Sequence, residues 1–413
     1  MTQILHVSDT HLDYRQYQND QRRQDYTNAF NYAIDIAIEE NVDAVLHTGD
    51  LFHDKSPSLG SQIECAKIIQ RLKTEPPEEI PFLTIVGNHE RKRDHQFVDY
   101  LEIPNDHLVQ LDNEGNTPYV VNDDVAIYGF DYIPKPSWES TDLTLTPSDT
   151  ECFILVAMHQ LLHPPVPEIM AQHNTEDILD RFGINIDALA LGDHHQREQT
   201  TVNGTNGTQV WYPGSTEKTK EDDGPNHYVD ILEFDGSDLD RKVRREIPTR
   251  EFLFVDINLV EGVSPVEQIQ RELDAYNVQG KVVHVTLGGA DVNVTKSQVE
   301  DLLQDRRVTV GRCSDARTKF EIDVDAVETE VENIDTTVDE ELGELDLSVT
   351  SQEVEQVVRD LNTPKSHVRA RADEIVAAAA PGGTPDEDLD GEDSVQAEPP
   401  GDTGSATDGG ENL

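Results

Sequence analysis

The chain has 413 residues, enough for two or three domains with separate cores. It carries 83 Asp plus Glu against 32 Lys plus Arg, a formal charge of −51, which in ordinary salt would repel both the chain itself and nucleic acid. Apolar runs such as Ile154-Leu155-Val156-Ala157-Met158 exclude a wholly disordered chain, and an acid-rich, lysine-poor surface suits a cytoplasm of very high salt, so the composition points to a halophilic source. Cys65, Cys152 and Cys313 are far apart without paired spacing and read as reduced, buried and inert. No apolar run approaches the roughly 20 residues that span a bilayer. The N-terminus enters a strand directly with no signal peptide, as expected of a cytoplasmic protein with no membrane partner.

Residues 3–7 read as a strand that ends in Ser8-Asp9-Thr10-His11. A helix over 22–40 follows, with Tyr26, Phe30, Ile34, Ala37 and Ile38 on one face. A second strand, Val42 to His47, ends in Thr48-Gly49-Asp50. A helix over 60–72 directs Ile63, Ala66 or Lys67, Ile69 and Leu72 toward the sheet. The third strand, Pro81 to Val86, ends in Gly87-Asn88-His89-Glu90. Strand, helix, strand, helix, strand predicts a layered α/β domain whose site lies beyond the carboxyl ends of the strands. Further strands are expected at 125–130, 153–159, 186–191, 209–212 and 228–234. Together they make a two-sheet sandwich flanked by helices and closing near residue 245.

From Glu251 the order is strand (252–257), helix (265–276), strand (281–287), helix (296–303), then strands near 307–310 and 317–322. This reads as a small α/β unit over 251–325 without a cluster of ligand residues, suited to cover something. An acidic linker spans 326–348. Over 349–380, Thr350 and Glu353 make a capping box before one amphipathic helix. Thr363-Pro364 then starts another, which bears Val368, Ala372, Ile375 and Val376 on one face. Such short helices must dock on the body or on a partner. Residues 381–413 have ten acids, no Lys or Arg, and many Gly and Pro, a composition of disorder.

The polar strand ends are, in order, Asp9 with His11, Asp50, Asn88 with His89, His159, and Asp193 with His195. Asp-x-His puts two side chains on one face of an extended segment, and Gly49 and Gly87 let the backbone turn sharply beside a ligand. Carboxylate, imidazole and amide oxygen without thiolate suit manganese, magnesium, iron or catalytic zinc. A lone His at a strand end is usually structural, and Gly-Asp pairs are usually turns. Five such strand ends together predict a metal centre.

Asp9-x-His11, Gly49-Asp50, Gly87-Asn88-His89-Glu90, His159 and Gly192 to His195 resemble the five motifs of the calcineurin-like metallophosphoesterases. Gly49-Asp50-Leu51-Phe52-His53, Tyr212-Pro213-Gly214-Ser215-x-Glu217, the small second unit and the helical tail are similar to the archaeal Mre-eleven (SbcD-type) double-strand-break repair nucleases. The resemblance implies a four-layer metallophosphoesterase sandwich over 1–245, two sheets flanked by helices, with a small α/β capping domain that helps hold DNA and a helical, then disordered, C-terminal tail. It implies two divalent metal ions per subunit, most consistent with Mn2+. Asp9, His11, Asp50 and His195 would hold one metal. Asp50 would bridge to a second held by Asn88, His159 and the group at Asp193, a shared carboxylate that sets two ions about 3.5–4 Å apart. His89 would act on the transition state or leaving oxygen, and His53 would orient phosphate. The family usually reads Gly-His-x-His where this chain has Gly192-Asp193-His194-His195. Either Asp193 works as an oxygen donor, which favours a harder ion, or His194 turns in, or the second site is weak.

By the same resemblance the partners are DNA ends and a Rad-fifty-like SMC ATPase docked on the tail stripe at Val368, Ala372, Ile375 and Val376, with a homodimer inside a heterotetramer near the nucleoid. DNA contact in so acidic a protein must rest on local cations: Arg91, Lys92 and Arg93 immediately after the third motif, with Arg22, Arg23, Lys55 and His95 nearby. The expected function is manganese-dependent endo- and exonucleolytic processing of break ends. The alternatives are a DNA-end tethering scaffold with attenuated nuclease, or another metallophosphoesterase such as a phosphatase or cyclic nucleotide phosphodiesterase.

Overall fold

The computed structural model describes residues 1–77, 79–92, 101, 107–148, 151–202 and 207–317. The tail segments expected at 326–413, with Val368, Ala372, Ile375 and Val376, lie outside the described residues, as do Arg93 and His95.

The strands in chain order are β1 (Thr2–Val7), β2 (Ala44–His47), β3 (Phe82–Thr84), β4 (Leu108–Gln110), β5 (Tyr119–Val121), β6 (Val125–Phe130), β7 (Phe153–His159), β8 (Leu162–His163), β9 (His173–Asn174), β10 (Ala188–Gly192), β11 (Glu198–Val202), β12 (Thr208–Tyr212), β13 (His227–Asp235), β14 (Asp238–Ile247), β15 (Phe252–Leu259), β16 (Val282–Gly289) and β17 (Val310–Asp315). One six-stranded sheet runs β14-β13-β1-β2-β3-β4 and a second β11-β12-β10-β7-β6-β5. Strands β1 to β4 are parallel, with Val7 level with His47 and His47 level with Thr84. In the second sheet β7 and β10 are parallel, with Gly192 level with His159. The five motif-bearing strand ends therefore finish along one rim of the sandwich.

Helix α1 (Asp20–Glu39) begins where Asn19 accepts hydrogen bonds from the amides of Gln21 and Arg22, two residues before the start expected from periodicity. It lays Phe30, Ala33, Ile34 and Ala37 on the first sheet, while Tyr26, also buried, donates its hydroxyl to the Lys218 carbonyl at 2.8 Å. Helix α2 (Leu59–Thr74) is capped by Ser58 and buries Cys65, Ile68, Ile69 and Leu72. Ile63, expected to face the sheet, is instead 46% exposed: it lies two residues from Cys65, about 200° around the helix from the buried stripe. Full burial of each large apolar side chain contributes about 1.5–3 kcal/mol.

Three apolar layers follow, one under α1 and α2, one between the sheets around Leu46, Leu83, Leu155 and Trp211, and one outside the second sheet around Tyr128, Met158, Phe182 and Tyr212. Helix α3 (Thr175–Arg181) closes that last layer. Helix, sheet, sheet and helix are the four expected layers.

The small unit is a three-stranded parallel sheet, β15-β16-β17, with helices α4 (Pro265–Leu273) and α5 (Lys296–Asp305) over its own core. The strand expected near 307–310 begins later, as β17 over Val310–Asp315, after Arg307 turns at φ +59, and the strand expected at 317–322 lies outside the described residues except for Arg317. Arg250 anchors this unit to α1: it binds both Asp25 carboxylate oxygens at 2.5 and 2.6 Å and Thr309 Oγ1 at 2.9 Å. Cys65 and Cys313 are buried as expected, whereas Cys152 is half-buried at the start of β7. No helix among the described residues is long and apolar enough to cross a membrane.

Candidate metal centre

Four of the expected ligands sit in the left-handed backbone region: Asp9 at φ +52, His11 at +45, Asp50 at +55 and Asp193 at +84. Each such conformation costs on the order of 1–3 kcal/mol and persists only where the surroundings enforce it. Three glycines make the necessary room. A Cβ on Gly87 would lie 2.1 Å from Asp50 Oδ1, one on Gly49 2.4 Å from His159 Nδ1, and one on Gly192 2.2 Å from the Thr48 carbonyl.

The side chains converge in two groups. His11 Nε2 lies 3.1 Å from His195 Nε2 and 3.9 Å from Asp50 Oδ2, and His195 Nε2 lies 3.9 Å from Asp9 Oδ1. Asp9, His11 and His195 thus form one group able to hold a cation. On the other side of Asp50, its Oδ2 lies 3.4 Å from His159 Nε2, which is 4.0 Å from Asp193 Oδ1. The Asn88 amide donates to that same Asp193 oxygen at 3.4 Å. His194 turns aside, its ring edge-on to Tyr212 at 5.3 Å between centroids.

The donor set passes a specific test. Asp50 Oδ2, Asn88 Oδ1, His159 Nε2 and Asp193 Oδ2 are all buried without a hydrogen-bond partner. His159 Nδ1 donates to the Thr48 carbonyl at 2.7 Å, which leaves Nε2 as an acceptor. These acceptors belong to the residues gathered around Asp50 and His159, and a divalent cation there would satisfy them together. Burial opposes an imidazolium at His159, yet Asp50, then Asp9 and Asp193, outweigh it and hold His159 well above its usual range. Without a metal, these carboxylates gather a proton instead. Burial also raises Asp9 to about 7, while it drops His11 well below the usual range and His195 to about 4.

The supporting residues were mostly invisible in the sequence. His195 Nδ1 donates to Thr219 Oγ1, which donates to Asp223 Oδ2 at 2.8 Å. Glu90 is buried and accepts from the amides of Phe52 at 2.9 Å and Gly87 at 3.2 Å, tying the second and third motifs together. Burial first, then Asp50, raises Glu90 to about 7.

His89 is exposed in the cleft. Its amide donates to Asp50 Oδ1 at 2.9 Å and its Nδ1 donates to the His53 carbonyl at 2.8 Å, which frees Nε2. His53 stacks on Tyr14, centroids 3.7 Å apart, with Nδ1 3.4 Å from His11 Nδ1, so it lies behind His11 as well as beside the cleft. That cleft has a volume of about 360 Å³ and is lined by His11, His53, His89, Asp193 and His195 among others. Exposed Lys55 shares an adjoining hollow with His53 and His89, and Arg91 is exposed and Lys92 half-buried just beyond Glu90. Arg22 is not available to DNA: fully buried, it pairs with Asp25 at 2.8 Å and Glu217 at 3.1 Å.

Residues 2–197 match the family of calcineurin-like phosphoesterases. The chain is 35% identical over 381 residues to the DNA double-strand break repair protein Mre11 of Haloferax volcanii, covering 91% of this chain and 81% of the relative. It is 34% identical to the Mre11 of Halobacterium salinarum, covering 90% and 92%, and 33% identical to that of Methanosarcina acetivorans, where it spans 59% of the relative. Two of these three relatives come from haloarchaea, in keeping with the acidic composition. The chain belongs to the Mre11 family of DNA double-strand break repair proteins, the metal-dependent nucleases among the calcineurin-like phosphoesterases.

Proposed function

We propose that this protein processes DNA double-strand-break ends as a manganese-dependent endo- and exonuclease, working with a Rad-fifty-like ATPase and as a homodimer. The four buried, unpartnered acceptors around Asp50 carry this reading. Asp9, His11, Asp50 and His195 would hold one ion, and Asp50, Asn88, His159 and Asp193 the other. Two ions held there would supply Lewis acidity for a phosphodiester and would lower the pKa of water enough for it to act as nucleophile. The protein's own part is placement. Left-handed turns and glycines aim the carboxylates, and hydrogen bonds at His159 Nδ1 and His195 Nδ1 fix the rings so that both Nε2 atoms face inward. His89, held through Nδ1, turns Nε2 to the cleft, from which its imidazolium form would give a proton to the departing oxygen. Asp193 in place of the usual imidazole favours a hard ion. Arg91, Lys92 and Arg93 would guide phosphate toward the cleft.

The test is cleavage of end-labelled duplex in molar salt with manganese, with and without the ATPase, comparing the wild type with His89→Ala and Asp50→Ala. Metal-dependent cleavage lost in both variants supports the reading. A wild type that binds DNA and ATPase without cutting in either condition would show a tethering scaffold instead.

A further inference from the structure

The five-residue segment with the most cations in this acidic chain is Arg241-Lys242-Val243-Arg244-Arg245, in the edge strand β14. Strand alternation divides its cations between two faces. Arg241 and Arg245 point one way and are neutralised, by Glu233 and by Glu40 at 2.6 Å. Lys242 and Arg244 point the other way, into the open edge of the sandwich. There Lys242 Nζ lies 4.2 Å from the Trp211 ring centre and the Arg244 guanidinium 4.9 Å from that of Tyr228. Among the described residues neither has a carboxylate within 4.0 Å. Arg197 approaches from the second sheet, 3.3 Å from Asp230 Oδ1.

Beside these cations is a hollow of about 300 Å³, lined by Arg197, Arg244, Tyr228, His227, Asp222 and His195. His195 and Asp222 also line the metal cleft, so the two spaces adjoin and share a wall. His227 is only 4% exposed, and its Nδ1 donates to the Ser215 carbonyl at 2.8 Å. Its Nε2 is therefore an acceptor, and it has no partner. The carboxylates here are Asp230, held by Arg197, and exposed Asp222, against three cations.

An unpaired guanidinium lying over an aromatic ring calls for an anion joined to a flat group, and a nucleotide is both. We propose that this hollow receives a nucleotide of the DNA strand next to the bond being cut, its phosphate on Arg244 and Arg197. The assignment rests on the nuclease function proposed for the metal centre, and it sets the path of the strand from that centre along the β14 edge.

The full chain is tested in EDTA, so that DNA is bound but not cut, by anisotropy of a fluorescein-labelled single strand across a series of KCl concentrations. Removing the phosphate-binding guanidinium in Arg244→Ala should reduce the slope of log K against log salt by about 0.7, while Arg241→Ala on the opposite face should leave it unchanged. An unchanged slope in Arg244→Ala would overturn the assignment, as would displacement of DNA by polyglutamate as readily as by unlabelled strand. Hydrolysis of bis(p-nitrophenyl) phosphate by the wild type with manganese separates the two ideas. Turnover with an unchanged Arg244→Ala slope sinks the strand path alone, and no turnover sinks the nuclease reading.

Discussion

Thr219→Val isolates the support of one metal ligand from the ligand itself. The substitution keeps volume and removes the hydroxyl between His195 Nδ1 and Asp223 Oδ2. Asp223 Oδ2 still accepts from the amides of residue 219 and Lys220, both at 2.8 Å, so the loop keeps its turn. What disappears is the acceptor that orients a buried imidazole. An unsatisfied buried N–H costs about 1–3 kcal/mol, and loss of such an outer partner weakens metal binding by about 10- to 100-fold. We therefore expect titration calorimetry with manganese in molar KCl to show one of two sites weakened by that factor, with the metal-free protein destabilised by no more than about the same 1–3 kcal/mol in urea unfolding. Thr219→Ser should restore the affinity. Equal affinity in wild type and Thr219→Val would refute the claim that this hydroxyl positions His195.

Other substitutions test the scaffold. Gly87→Ala places a methyl 2.1 Å from Asp50 Oδ1, so it should cost about 1–3 kcal/mol in urea unfolding and impair metal binding. A stable variant with normal metal affinity would show that the close approach is unimportant. Arg22→Ala leaves Glu217 buried opposite no cation, and should destabilise the fold by about 3–5 kcal/mol in urea titrations. Weakened DNA binding with unchanged stability would restore Arg22 as a DNA contact. The pH dependence of metal affinity has a definite sign. Asp9 of the metal-free protein is raised to about 7, first by burial, so below that pH binding must expel a proton. Affinity should fall at least about tenfold per unit as pH drops below 7, and it should go on rising above 7 while His159, held well above its usual range, still has a proton to expel. Calorimetry showing a flat profile from weakly acid to neutral pH would contradict this.

The rim of polar strand ends was legible because each motif combines an apolar run with a ligand type that a core does not use. Those strands are buried on both faces and carry their signal in composition. Strand β14 was not legible: it is charged at Asp238, Asp240, Arg241, Lys242, Arg244, Arg245 and Glu246, and forms because β13 pairs with it across the turn at Gly236. Ile63 faces solvent against expectation because an apolar residue is not bound to the stripe its helix buries. Arg22 reads as a surface cation, since nothing local announces Glu217, which lies 195 positions away and closes the ion pair. Thr219 and Asp223 sit in an acidic loop of unremarkable composition, and only the fold brings their hydroxyl and carboxylate to His195. The loop's one sequence signal is that it follows directly on Tyr212-Pro213-Gly214-Ser215.

The proposed chemistry rests on one centre divided by the Asp50 carboxylate. Anomalous diffraction at the manganese edge from crystals grown with the ion tests it most directly. Two peaks per chain are predicted, one among Asp9, His11 and His195 and one among Asn88, His159 and Asp193, with Asp50 reaching both. A single peak, or a second one held by His194 while Asp193 stands clear, would contradict it.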